Sequence, residues 1–294
     1  MKSLDNAKVT KGMIFAGCSF TWGQGLYYYS NMSTISEPPP DQYNPKLVTH
    51  SHKKFMESVR FPRIVSSHFN SFEHVYHENG GSNYSALKWW TNCLNNRERD
   101  QWGNWARVYN SEITPIDYSE VSHVVFQLTQ WQRDNFIIDF EGVVDDVPYH
   151  CVWSEPMRSR FLRWLESRNL TLEQWEQAYI REGLENVKKW LQECENHGVK
   201  TTIFTWPSDY VAYIDQDPWL KERFLTFKYN GQEYRSIEDL MSPGTMQNKG
   251  YNPELTVKWD EESFAETPKD HHPSLKCHQV MAENIIRRIE EQNK

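Results

Sequence analysis

Short apolar runs that break off at glycine, serine or asparagine alternate along this chain with longer stretches of helical period. Met13 to Ala16 is unbroken apolar sequence and reads as a buried strand, ended by Gly17-Cys18-Ser19. "ESVRFPRIVSSHFN" (57–70) reads as a helix with Pro62 in its first turn, where a missing N–H is harmless. "EHVYHENGGSN" (73–83) reads as a strand running into a glycine turn. Ser85 is placed to cap a following helix, "ALKWWTNCLNNRERD", and "SHVVFQLTQW" (122–131) predicts another strand. Thr171 and Gln174 match a capping box at the head of a long helix. In that helix Trp175, Tyr179, Val187, Leu191 and Cys194 share one face, which reads as core, and Gly198 supplies the stop. "VKTTIFTW" (199–206) is a further strand, and "SLKCHQVMAENIIRRIEEQ" closes the chain as an amphipathic helix.

Two stretches break this rhythm. Residues 27–54, with "YYY", "EPPPD" and "YNP", are expected to be an irregular insertion, because consecutive prolines forbid regular structure. Residues 207–268 show weak periodicity and read as a second long excursion. The helix after each strand argues for an α/β protein with a parallel sheet in three layers, as a single domain over 1–294. Such sheets bind ligands beyond the carboxyl ends of their strands. That directs attention to 17–25, 79–83 and 127–133, and to 267–274 ahead of the last helix.

Charge and composition narrow the partners. A net charge of -8 without a basic stripe argues against nucleic acid. No run of ~18 apolar residues suggests a membrane span. "MKSLDNAKVTKG" lacks the apolar stretch of a secretion signal, so a cytoplasmic protein is expected, or a virion-associated one if phage-encoded. Five cysteines with no CxxC spacing point to a reducing compartment rather than a disulfide framework. The 13 Trp, 15 Tyr and 14 Phe are a high aromatic content; such rings fill cores and also line grooves that stack on sugars or flat ligands.

A serine at a strand exit has a plain explanation, the cap of a following helix. It becomes chemically interesting through "KDHHPS" (269–274). A serine hydroxyl needs a base beside it, and the base needs an orienting acid. In extended chain, residues two apart face one side, so Asp270 is placed to orient His272, with Ser19 as nucleophile. The N–H groups of Ser19 and Gly81 and the amide of Asn83 are candidate oxyanion donors. Asp270, His271, His272, Cys277 and His278 form no closed metal set, so no metal or other cofactor is expected. Trp22, with Tyr27, Tyr28 and Tyr29, is placed either to stack on a sugar or to anchor the insertion.

These blocks resemble those of the SGNH/GDSL hydrolases. "GCSFTWG" is similar to the first block, Gly-Asp-Ser with a glycine four residues on. "NGGSN" resembles the second, "DHHPS" before a helix the last, and "VRFPRIV" the segment ahead of the family's first helix. Bacterial and tailed-phage members with "GCSFT" and "HPS" share the pattern. The resemblance spans 13–290 and implies a flavodoxin-like α/β/α sandwich and a serine esterase without metal. Three departures stand out: Cys18 replaces Asp, acid and histidine are two apart rather than three, and "QLTQWQR" replaces the third block, Gly-x-Asn-Asp. Gln130 is placed to supply the missing amide and Arg133 to bind an acidic group. The expected substrate is a short acyl ester, such as an O-acetyl group on a glycan. The alternatives are acyl transfer by the same triad, or a non-catalytic glycan-binding or virion structural protein. Association into a homo-oligomer or particle is open.

Overall fold

The computed structural model describes residues 11–23, 26, 50–76, 81–94, 116–149, 154–155, 157–241, 254–255 and 272–294. The chain opens with β1 (Gly12–Ala16), a short α1 (Ser19–Trp22), α2 (His50–Val59), α3 (Phe61–His68), β2 (Glu73–Val75) and α4 (Asn83–Leu94). It continues through β3 (Val121–Leu128), the pair β4 (Asn135–Phe140) and β5 (Val143–Pro148), α5 (Met157–Ser167), α6 (Leu172–Asn196) and β6 (Lys200–Thr205). Then come α7 (Val211–Gln216), α8 (Pro218–Arg223), the pair β7 (Phe227–Tyr229) and β8 (Gln232–Tyr234), α9 (Ile237–Met241) and α10 (Leu275–Gln292).

The central sheet has four parallel strands in the order β2-β1-β3-β6. Its register sets Phe15 beside Val125 and Phe126 beside Ile203. Because side chains alternate across a strand, the apolar runs feed two cores. Ile14, Ala16, Val124, Phe126, Leu128 and Ile203 pack on one face with residues of α4 and α6. Met13, Phe15, Val125 and Phe204 pack on the other with residues of α3 and α10. Each large side chain so buried contributes about 1.5–3 kcal/mol. The α/β architecture expected from the alternation is therefore present, as a four-strand parallel sheet flanked by helices. Among the described residues no helix is long and apolar enough to cross a membrane.

Several boundaries differ from the sequence reading. The helix expected over 57–70 is two helices, α2 and α3, broken at Arg60, whose backbone is extended (φ -70°, ψ 151°). Pro62 has no N–H to donate to the Ser58 carbonyl four residues back, and its ring crowds that carbonyl, so one continuous helix through this point is disfavoured and a new one starts with the proline in its first turn. Helix α2 also begins at His50, inside the stretch assigned to the first insertion. Ser82, not Ser85, begins the capping of α4. Its Oγ accepts from the Ser85 N–H (3.0 Å), while its own N–H donates to the Ser85 Oγ (2.9 Å), a reciprocal box. Strand β3 stops at Leu128, and Trp131–Arg133 form a 3-10 turn. The β4–β5 hairpin had no counterpart in the reading. The excursion after 207 holds α7, α8, β7, β8 and α9, elements too short for a periodic signal. The capping box at Thr171 and Gln174, the buried face of α6 and the positive φ of Gly198 (78°) follow the sequence expectation.

Candidate active site

Ser19 lies three residues past the end of β1 and occupies the first position of α1. It is buried, at 2% exposure. The turn that holds it is tightly made. A Cβ on Gly17 would collide with the Thr21 hydroxyl and sit 2.8 Å from Gln127 Oε1 and 2.9 Å from Gln127 Cβ. Only glycine lets the backbone pass so close to β3. Gln127 itself is fully buried, following the apolar run Val124–Phe126 of β3. Its Nε2 donates to Cys18 Sγ (3.5 Å), and its Oε1 accepts from Thr21 Oγ1. Cys18 is thus a small buried residue at the helix cap, and it makes no side-chain capping bond to α1.

His272 arrives from the far end of the chain. The segment after it is pinned: Ser274 N–H donates to Leu255 O (2.9 Å), and Ser274 Oγ accepts from Cys277 N–H (3.2 Å), capping α10. Below it lies His278, buried and stacked on Phe61 with ring centroids 5.8 Å apart. His278 Nδ1 accepts from Phe61 N–H (3.1 Å), which docks α10 onto the start of α3. Burial, and after it the charges of His272 and Arg60, push the His278 pKa down to about 3, so the ring is neutral. Cys277 is fully buried, with its thiol pKa raised by burial. Neither side chain presents itself as a ligand to a metal, and no group of three His, Cys, Asp or Glu residues among those described is arranged to hold one.

These two arms place His272 Nε2 3.1 Å from Ser19 Oγ, across 253 positions of sequence. This is the hydrogen-bond distance a base needs to take a hydroxyl proton. Asp270 and His271 lie outside the described residues.

The remaining candidates divide. Gly81 is buried two residues ahead of α4. Asn83 is not a spare donor. Its Nδ2 already donates to Thr129 O (3.2 Å) and Tyr210 Oη (2.8 Å), and its Oδ1 accepts from Thr129 N–H (2.8 Å). An amide nitrogen has two hydrogens and both are used, so Asn83 clamps α4 to the end of β3. Gln130 is partly exposed in the turn after β3, and among the described residues its side chain makes no hydrogen bond. Arg133 ends the same turn, with its guanidinium carbon 4.9 Å from the centroid of Trp206. Trp22 closes α1, and its side chain lies outside the described residues.

Two contributors escaped the sequence reading. Gln127 was visible as a lone amide inside "VVFQL", a buried polar residue that demands partners. Asp134 gave no comparable signal. It is buried beneath the start of α4, accepts from Tyr84 N–H (2.9 Å), and has its pKa raised by burial to about 6. Comparison with protein-family models, with curated proteins and with solved structures gave no match.

Proposed function

We propose that this protein is a serine ester hydrolase of the SGNH/GDSL type, built on a three-layer, flavodoxin-like sandwich. The observation that carries the reading is the 3.1 Å approach of His272 Nε2 to Ser19 Oγ at the carboxyl edge of a parallel sheet. That edge is where such sheets bind ligands. In this reading Ser19 Oγ attacks the acyl carbonyl as His272 takes its proton, and His272 returns that proton to the leaving alcohol. Water, activated by the same ring, then releases the acid. Asp270, two residues before His272, orients the imidazole. The oxyanion rests on the N–H groups of Ser19 and Gly81, with Gln130 supplying the amide now that Asn83 is committed elsewhere. The substrate class is a short acyl ester, such as an O-acetyl group of a glycan.

The test is intact mass after incubation with a fluorophosphonate. One adduct on the wild type and none on Ser19→Ala is expected. An unlabelled wild type that is shown to be folded refutes catalysis by Ser19.

A further inference from the structure

We propose that Arg133 and Trp206 form an anion subsite beside Ser19, so that the alcohol portion of the ester substrate carries an oxyanionic group, as an O-acetylated acidic sugar does. This deepens the esterase reading and rests on it for the identity of the reacting group. The guanidinium of Arg133 lies over the Trp206 ring at 4.9 Å. Stacking on a ring holds the planar fork in one orientation and leaves its edge to pair with a carboxylate or phosphate. Arg133 Nη1 is buried and has no hydrogen-bond partner among the described residues. Among the described residues the guanidinium forms no ion pair, in a protein of net charge -8 where acidic groups are abundant. The neighbouring carboxylate, Asp134, is turned to the Tyr84 N–H instead (2.9 Å). A half-buried cation that stacks on a ring and has no carboxylate partner among the described residues is the arrangement expected of a ligand site.

Position argues the same way. Register sets Ala16 beside Phe126 and Leu128 beside Thr205, so Ser19, Thr129 and Trp206 follow the ends of three adjacent strands at about one level. Two inter-strand steps separate the backbones at Ser19 and Trp206 by about 10 Å. Trp206 packs with the core on the α10 side of the sheet, the side from which His272 arrives. One alcohol of monosaccharide or phenylpropanoid size spans both points.

The probes are 4-acetoxycinnamate and its neutral amide, with the corresponding aryl phosphate as a third ligand to tell carboxylate from phosphate. Binding is measured calorimetrically on Ser19→Ala protein, so no turnover is required. The anionic probe is expected to bind at least tenfold tighter than the amide. That ratio falls to near one in Ser19→Ala/Arg133→Gln, and at least threefold in Ser19→Ala/Arg133→Lys, which keeps the charge but not the planar fork. If the glutamine variant does not fold, the lysine variant decides. Equal affinities in the Ser19→Ala protein, a ratio unchanged by these substitutions, or no binding of any probe overturns the subsite. Turnover of the neutral amide ester by wild type is scored separately. Turnover without a binding ratio sinks only the subsite, and a ratio without turnover or a Ser19 adduct sinks only the esterase.

Discussion

The hydroxyl of Thr21 donates to the side-chain oxygen of Gln127, 106 residues further along the chain. That bond, with the Gln127 amide on Cys18 Sγ, ties the turn carrying Ser19 to the neighbouring strand. A nucleophile is only as well placed as the turn that holds it, and this turn is held by a fully buried amide.

Gln127→Leu keeps the volume of the side chain and removes both bonds. It strands the buried Thr21 hydroxyl, so a stability loss of about 1–3 kcal/mol is expected. Labelling of Ser19 by fluorophosphonate slows at least tenfold while the far-ultraviolet spectrum stays native. Urea unfolding and timed mass spectra measure the two effects. Labelling at the wild-type rate means the turn positions itself without Gln127.

Gly17→Ala tests the same junction sterically. The new methyl meets Gln127 Cβ at 2.9 Å and the Thr21 hydroxyl, so either the turn or β3 must shift. Overpacking of this kind costs about 1–3 kcal/mol. Ser19 labelling is expected to fall more steeply than stability. Calorimetric melting set against labelling rate separates the two, and an equal effect on both argues that Gly17 serves only the fold.

His272→Ala removes the base from Ser19 Oγ. Positioned acid–base groups contribute ~100- to 10,000-fold, and ester hydrolysis is expected to drop within that range. Asp270→Asn leaves the base in place and is expected to fall less. Rates of ester hydrolysis for the three proteins under one condition check this, and a His272→Ala variant that keeps the wild-type rate assigns the base elsewhere.

Asp134 gives the fold a pH dependence of its own. Burial raises its carboxyl pKa from the ordinary 3.8 to about 6, so the folded state holds the proton more tightly than the unfolded chain does. That contribution to stability is full below pH ~4 and is lost as pH rises through ~6, and the gap of about two units corresponds to about 3 kcal/mol at most. Asp134→Asn cannot ionise, and its oxygen still accepts from Tyr84 N–H. Its stability relative to wild type is therefore expected to improve between pH 4 and pH 7. Urea midpoints across that range decide it, and parallel curves for the two proteins rule out the buried carboxyl as the source.

The alternation of apolar runs and helical stretches was enough, by itself, to determine a parallel α/β sheet. Burial of a period-two strand on both faces requires helices above and below it, and residues 13–16, 122–128 and 200–205 carry that pattern locally. The capping box at Thr171 and the stop at Gly198 were legible for the same reason, since their partners lie within a few residues. Ser19 and His272 were legible as chemistry, but their meeting depends on strand order and on the seating of α10, which places residues 253 apart within one hydrogen bond. Tertiary contacts alone decided that Asn83 spends its amide on Thr129 and Tyr210, and that Gln127 grips the serine turn. They alone also decided that Arg133 lies on Trp206, with one nitrogen unpaired among the described residues. A polar side chain advertises in the sequence that it needs partners. Which partners it finds is settled by the long-range packing that brings distant strand ends to one edge.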